Sequence, residues 1–300
     1  MTLRKINIMG FFDNYLPTLG EKLTNSILTK MQNATFNILP EWRISPAPSV
    51  KHGVPIISEN LVRNFADGTV TSIQGLKRVI NSNTVEPNDG TQLEVDSIVW
   101  CTGYRADFSI LDPDIDPTRN TTPRWKAAKG SRGKPLPRLY QNVISTEYPD
   151  SLAILGSVAF ATAAFQLYDI VTMCVAQIWA GKSSLPSPKE MERAVDAQHA
   201  WICRIAEQGT AIPSWVRHGD WLAWADKTAG TGLSERLGWG VAGWRFWYQE
   251  RELYKMLMDG IASPHIYRLF DGKRKKWDGA EEELVKVNRR VSEAQKKKAD

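Results

Sequence analysis

The sequence predicts an α/β fold whose C-terminal part is helical. Three observations carry that reading. Residues 93–101 place Val95, Ile98, Val99 and Trp100 in a short apolar run that stops at Thr102-Gly103-Tyr104, the pattern of a buried parallel strand. Residues 152–155 repeat the pattern and stop at Gly156-Ser157, ahead of a helical stretch that runs through Trp179. From Ser187 onward apolar residues recur at helical spacing and strand signals fade.

Taken in order, the chain opens with a helical stretch around residues 19–31, then an extended, proline-rich segment from Pro40 to Pro48. Between Pro55 and Tyr104 the pattern is β, with β-branched runs at 54–57, 70–73 and 79–80. Asn88-Asp89-Gly90 predicts a hairpin turn, because glycine accepts positive φ at little cost. Pro113, Pro117, Pro123, Pro135 and Pro137 forbid long helices in 105–150. After the second strand comes the buried helix. The next helix has a marked start: Ser187 caps, Pro188 suits the first helical position, and Glu190 completes a capping box. Met191, Val195, Ile202 and Ile205 then share one face. Residues 215–257 read as helical and tryptophan-rich, with Trp221, Trp224, Trp244 and Trp247 at helical spacing and expected to pack on the core.

Composition bounds the function. Of 300 residues 42% are apolar and 24% charged, which suits a globular chain and excludes a fibrous or mainly disordered one. Cys101, Cys174 and Cys203 are the only cysteines, odd in number and far apart, so a reducing, cytoplasmic setting is expected and a disulfide scaffold is excluded. None of His52, His199, His218 and His265 has a second His or a Cys at metal-ligand spacing in the sequence, so no metal site is expected. The net charge of +5 is concentrated in the last thirty residues, read as a solvated charged tail over 281–300. No basic stripe interleaved with aromatics suggests nucleic-acid binding. A span through 151–181 would bury Asp169 in lipid, so no transmembrane segment is expected.

Two short motifs are discounted. Residues 176–183 fit a loose phosphate-loop pattern, but a helix precedes Gly181-Lys182-Ser183 and Leu185-Pro186 follows, so Gly181 reads as a helix C-cap. His218-Gly219-Asp220 has no nucleophile on a GxSxG elbow and reads as a surface turn.

The remaining motifs carry more. Strands that end in glycine at the mouth of a turn or helix let a backbone approach a cofactor closely, and a helix N-terminus favours anionic groups. Residues 95–111, VDSIVWCTGYRADFSIL, resemble the ATG-Y linker of flavin-containing monooxygenases, and residues 55–80 with Asp89-Gly90-Thr91 resemble the segment leading into it. The strand at 152–156, Asp169, Lys182 with Leu185-Pro186-Ser187, Tyr267-Arg268-Leu269 and Lys276-Trp277-Asp278-Gly279-Ala280 resemble later parts of the same family.

The resemblance implies an FAD- and NADPH-dependent monooxygenase. Its reduced flavin captures O₂ as a C4a-hydroperoxide and passes one oxygen to a soft nitrogen or sulfur nucleophile of a small-molecule substrate, or to a ketone. Thr102, Gly103 and Tyr104 would form an interdomain turn near FAD, and Gly156, Ser157 and Val158 a strand–helix mouth near the flavin. No catalytic side chain stands out, as expected where the cofactor carries the chemistry. The sequence departs from the family in lacking the GxGxxG fingerprint that the family carries for FAD near its N-terminus, the one it carries for NADPH in its middle, and the FxGxxxH signature between them. Cys101 replaces a common alanine, and Val171 a common glutamine. The chain is therefore expected to be the C-terminal part of a protein with two dinucleotide-binding domains, both incomplete Rossmann-like units: 1–95 the end of the NADPH domain, 96–280 the later FAD domain with a helical extension, and 281–300 the tail. The alternative is a non-catalytic remnant, or a fragment that needs a homo-oligomer or a complementing N-terminal half.

Overall fold

The computed structural model describes residues 2–56, 58, 60–160, 162 and 164–297. Its helices are α1 (Leu3–Tyr15), α2 (Pro17–Thr35), α3 (Leu61–Ala66), α4 (Pro123–Ala127), α5 (Ala164–Trp179), α6 (Pro188–Gln208), α7 (His218–Ala229), α8 (Leu233–Leu237), α9 (Val241–Gln249), α10 (Arg251–Asp259) and α11 (Ala280–Lys297). The strands are β1 (Leu76–Val79), β2 (Thr84–Pro87), β3 (Leu93–Glu94), β4 (Leu139–Tyr140) and β5 (Ile144–Ser145). They form one three-stranded sheet, β1-β2-β3, and one two-stranded sheet, β4-β5, both antiparallel. Two compact units emerge, Lys22–Ala106 and Met1–Glu21 with Asp107–Asp300.

In the smaller unit, β2 and β3 pair Thr84 with Glu94 and Val85 with Leu93 around the expected turn. Gly90 takes φ +82°, and the Asp89 carboxylate accepts from the Thr91 backbone N–H at 3.0 Å and its hydroxyl at 2.7 Å. Across the sheet the Glu86 carboxylate accepts from Lys77 at 2.5 Å and Arg78 at 2.8 Å. Elsewhere in the unit Trp42 stacks on Phe65 with centroids 5.6 Å apart.

The larger unit is built around α5. Leu167, Ile170, Val171, Cys174 and Ile178 recur three and four residues apart and are all buried, so one stripe faces the core. α5 packs on α7, and α7 packs on α1. α5 ends as expected: Gly181 takes φ +69° and Lys182 N–H donates to the Gln177 carbonyl at 2.9 Å. α6 has its capping box, with Ser187 donating from backbone N–H at 2.9 Å and hydroxyl at 2.6 Å to the Glu190 carboxylate. Its apolar face serves two clusters. Met191 and Val195 join the α5 core, while Ile202, Cys203, Ile205 and Ala206 enclose Trp125 of α4 and Leu136 of the proline-rich loop after it. Trp125 is 1% exposed and donates from Nε1 to the Lys134 carbonyl at 2.8 Å.

Several strand expectations fail. Residues 95–101 form no strand beyond β3, and Val99 and Trp100 are 81% and 66% exposed. A parallel strand needs hydrogen-bonding neighbours along its edges and cover on both faces. Here the sheet stops at β3, so the run stays extended and unpaired. Residues 152–155 make only a bridge, Ile144 to Ala153, antiparallel to β5, and Leu155 is exposed. Neither 54–57 nor 70–73 forms a strand among the described residues; Ile56 is exposed and Ile57 lies outside them. Residues 79–80 fare better, since Val79 closes β1. The fold thus combines helices with small antiparallel sheets, without the parallel pairing the two apolar runs predict. No helix among the described residues is long and apolar enough to cross a membrane.

Candidate cofactor site

The predicted cofactor residues fall in different local settings. Thr102, Gly103 and Tyr104 lie in the smaller unit on the extended segment after β3. Tyr104 is 97% exposed. Gly103 holds φ +89°, and a Cβ there would meet nothing within 4 Å.

In the larger unit Gly156 holds φ +94°, again with open space around it. The two residues that follow turn inward, and Ser157 and Val158 are buried. Ala159 N–H donates to the Ser214 carbonyl at 2.7 Å, which ties this turn to the loop before α7. Phe160 then stacks on His218 at 4.5 Å and leans on Trp221 at 5.7 Å. The turn therefore leads into an aromatic cluster, completed by Trp224 against Tyr140 at 5.9 Å, rather than into a ligand cavity. The mouth of α5 itself includes Ala161 and Ala163, which lie outside the described residues.

His218 was expected on a surface turn. It opens α7 instead and is buried, with Nε2 lacking a partner among the described residues. Burial drives its pKa down from 6.5 to about 4, so the ring is neutral. Of the four spaced tryptophans, Trp221 fulfils the core expectation and donates from Nε1 to the Gln141 carbonyl at 2.9 Å. Trp244 and Trp247 are exposed.

The family-like motifs of the C-terminal part do meet. Asp169 on α5 forms a two-point ion pair with Arg268, whose Nε lies 3.2 Å from Oδ2. One turn earlier Gln166, buried, accepts from the Thr162 hydroxyl at 3.0 Å and donates to the Tyr267 hydroxyl at 3.3 Å. Burial raises the Tyr267 phenol well above its ordinary value, so the neutral hydroxyl is maintained. Trp277 N–H donates to the Arg268 carbonyl at 2.9 Å, and Ala280, fully buried, starts α11. Val171 is buried in apolar surroundings and offers no polar contact. Arg274 sits within this charge cluster. Burial, and then Arg268, lowers its pKa, and its Nε and Nη2 have no acceptor among the described residues. These contacts fasten α5 to the segment before α11. They are packing and anchoring contacts, with no paired acid and base aimed into a cavity.

The comparisons with known proteins decide the family. A family model described as flavin-binding monooxygenase-like matches residues 4–299. The chain belongs to the flavin-binding monooxygenase-like family. Among its relatives, Monooxygenase aurF of Gibberella zeae is 43% identical over 287 residues, covering 96% of this chain and 54% of the relative. A 4-hydroxybenzoate brominase (decarboxylating) of Marinomonas mediterranea is 29% identical over 184 residues, 59% of this chain and 32% of that protein. Flavin-containing monooxygenase 3 of Rattus norvegicus is 23% identical over 278 residues, 92% of this chain and 46% of that protein. The chain thus spans about half the length of aurF and of the rat enzyme.

Do the residues of this family member fit a flavin dinucleotide? Such a cofactor needs an enclosed apolar wall and backbone amides converging on its pyrophosphate. Gly103 and Gly156 allow close backbone approach, but no enclosing wall accompanies either. A cavity of about 510 Å³ lies in the smaller unit, lined by Phe36, Asn37, Glu41, Trp42 and Phe65 among others. It contains none of the six predicted residues, and the Glu41 carboxylate would oppose a pyrophosphate. The aromatic cluster around His218 and the Asp169–Arg268 pair are organised features that residue spacing alone could not reveal, since their partners are about 60 to 100 residues apart in sequence.

Proposed function

We propose that this chain forms part of an FAD- and NADPH-dependent monooxygenase that transfers one oxygen atom of O₂ to a soft nitrogen or sulfur nucleophile, or to a ketone, of a small-molecule substrate. The observation that carries the reading is the family match along residues 4–299 together with 43% identity to a named monooxygenase. Within it, residues 1–95 correspond to the end of an NADPH-binding domain and 96–280 to the later part of an FAD-binding domain, both incomplete Rossmann-like units. The sequence supports this division because no GxGxxG stands between a strand and a helix; Gly238-Trp239-Gly240-Val241-Ala242-Gly243 has the spacing but follows α8 rather than a strand. Thr102, Gly103 and Tyr104 then serve as a turn near FAD, and Gly156, Ser157 and Val158 as a backbone platform near the flavin. The positive φ of both glycines and the open space at each support close backbone approach. Cys101, Cys174 and Cys203 are free thiols, which supports a reducing, cytoplasmic setting.

A second reading is favoured by the same missing fingerprints and by the exposure of Trp100 and Tyr104. In it the chain binds flavin only when another polypeptide segment completes the site. Purification and a spectrum separate the two. A yellow protein that consumes NADPH and O₂ supports activity of the chain alone; a colourless one supports the partner-dependent reading. Tyr104→Ala in a full-length version should lower FAD occupancy, and unchanged occupancy would remove Tyr104 from the site.

A further inference from the structure

The cavity of about 510 Å³ in the smaller unit has no part in the cofactor contacts described above. Its walls come from the end of α2, the turn after it, and α3, with every lining residue inside that unit. Trp42 is buried and Phe65 half-buried, and their rings stack with an interplanar angle of 16°, which gives the cavity an aromatic wall. Phe36 and Val62 extend the apolar lining. The turn is pinned by its own backbone. Trp42 N–H donates to the Leu39 carbonyl at 3.1 Å and Arg43 N–H to the Pro40 carbonyl at 3.1 Å, with Arg43 at φ +55°. Glu41 is thereby fixed beside the aromatic wall.

Glu41 is the one charged residue in the lining among the described residues. It is exposed, and among the described residues no ion pair or side-chain hydrogen bond engages it. The arginines nearest in sequence act on other carboxylates, Arg43 on Asp89 and Arg63 on Asp67. The Thr35 hydroxyl is spent on the Met31 carbonyl at 2.9 Å, which leaves Asn37 as the other polar side chain free in the lining.

We propose that this cavity binds a small organic cation, an ammonium ion that carries an aryl or alkyl body. Aromatic faces attract a cation held within about 6 Å of a ring centroid. The carboxylate adds an opposite charge that no protein group neutralises, and the apolar wall takes the body of the ligand. The volume lies within the roughly 300–1,000 Å³ of small-molecule sites. An anion would meet Glu41 with no basic residue in the lining to offset it. The occupant is also not the oxygen acceptor of the proposed reaction, because a quaternary or protonated nitrogen has no free lone pair to take oxygen. Nothing in the site depends on flavin, so it goes beyond the monooxygenase reading and stands apart from it.

Titration calorimetry on the 300-residue chain, without FAD or NADPH, tests the assignment. The probe is benzyltrimethylammonium, whose charge is permanent, and the control is tert-butyl phenyl carbinol, a neutral molecule of similar shape. One saturable site is expected, with the cation bound about tenfold or more tightly than the carbinol. Glu41→Gln should weaken the cation about tenfold or more. It should leave carbinol binding and the melting temperature unchanged, since Glu41 is exposed and unengaged. Asn37→Asp puts a second carboxylate in the lining and should tighten the cation about threefold or more. The proposal is overturned if the cation shows no saturable binding up to about 10 mM, or if the carbinol binds as tightly. Native-like binding of the cation by Glu41→Gln, or unchanged or weaker binding by Asn37→Asp, would place the cation elsewhere and overturn it equally.

Discussion

Protonating His218 should destabilise the larger unit's core in a calculable pH window. The ring belongs to the first residue of α7 and stacks on Phe160, and burial alone lowers its pKa from 6.5 to about 4. An unfolded chain binds this proton near pH 6.5, whereas the folded chain resists it until about pH 4. The unfolded state therefore holds more protons throughout that window, and stability present above pH 6.5 is lost as the pH falls. A difference of 2.5 units corresponds to about 3.4 kcal/mol in full, of which about 2 kcal/mol should be lost by pH 5. That is a large share of the net stability of an ordinary domain. His218→Phe keeps an aromatic ring against Phe160 and removes the titrating group. Urea unfolding of both proteins, followed by tryptophan fluorescence at pH 7.5 and pH 5, measures the difference. The native protein should lose about 2 kcal/mol more than the variant. Equal losses would refute the reasoning, because His199 and the carboxylates are common to both proteins.

Three further outcomes follow from named contacts. Asp169→Asn should cost about 1–2 kcal/mol, less than a fully buried pair because Arg268 is 38% exposed, and a double-mutant cycle with Arg268→Gln should show coupling above 0.5 kcal/mol. Gly130→Ala would place a Cβ 1.7 Å from the Gly209 carbonyl oxygen and should lower stability by about 1–3 kcal/mol, read as an earlier melting transition. A thiol reagent at pH 8 should modify Cys101 quickly and Cys174 only after denaturation, because Cys101 is exposed while burial pushes the Cys174 thiol to about 12; fast modification of Cys174 in the native state would contradict its burial.

Much of the helical structure was legible in advance because its signals are local. The stripe of Leu167, Ile170, Val171 and Cys174 reports its own periodicity, Ser187-Pro188 with Glu190 announces a start, and Gly181 announces a stop. The turn at Asn88-Asp89-Gly90 is equally self-contained. The motifs around Tyr104, Arg268 and Trp277 pointed to the family that the comparisons establish. The candidate site was less legible. Of the six residues predicted for cofactor contact, 102–104 lie on an exposed extended segment and 156–158 on a turn that leads into an aromatic cluster.

What the sequence determined by itself is therefore the backbone tendency of each segment and the kinship of the chain. Only tertiary structure decided which tendencies were realised. The run at 95–101 has every preference of a buried strand, but pairing needs a neighbour elsewhere, and the sheet ends at β3. His218 looks polar and turn-like in its local window, yet Phe160, more than fifty residues earlier, buries it. Asp169 and Arg268 are 99 residues apart and are joined only by the fold. Helix signals repeat every few residues along one segment, whereas strand pairing, burial and ion pairing depend on what the rest of the chain brings alongside.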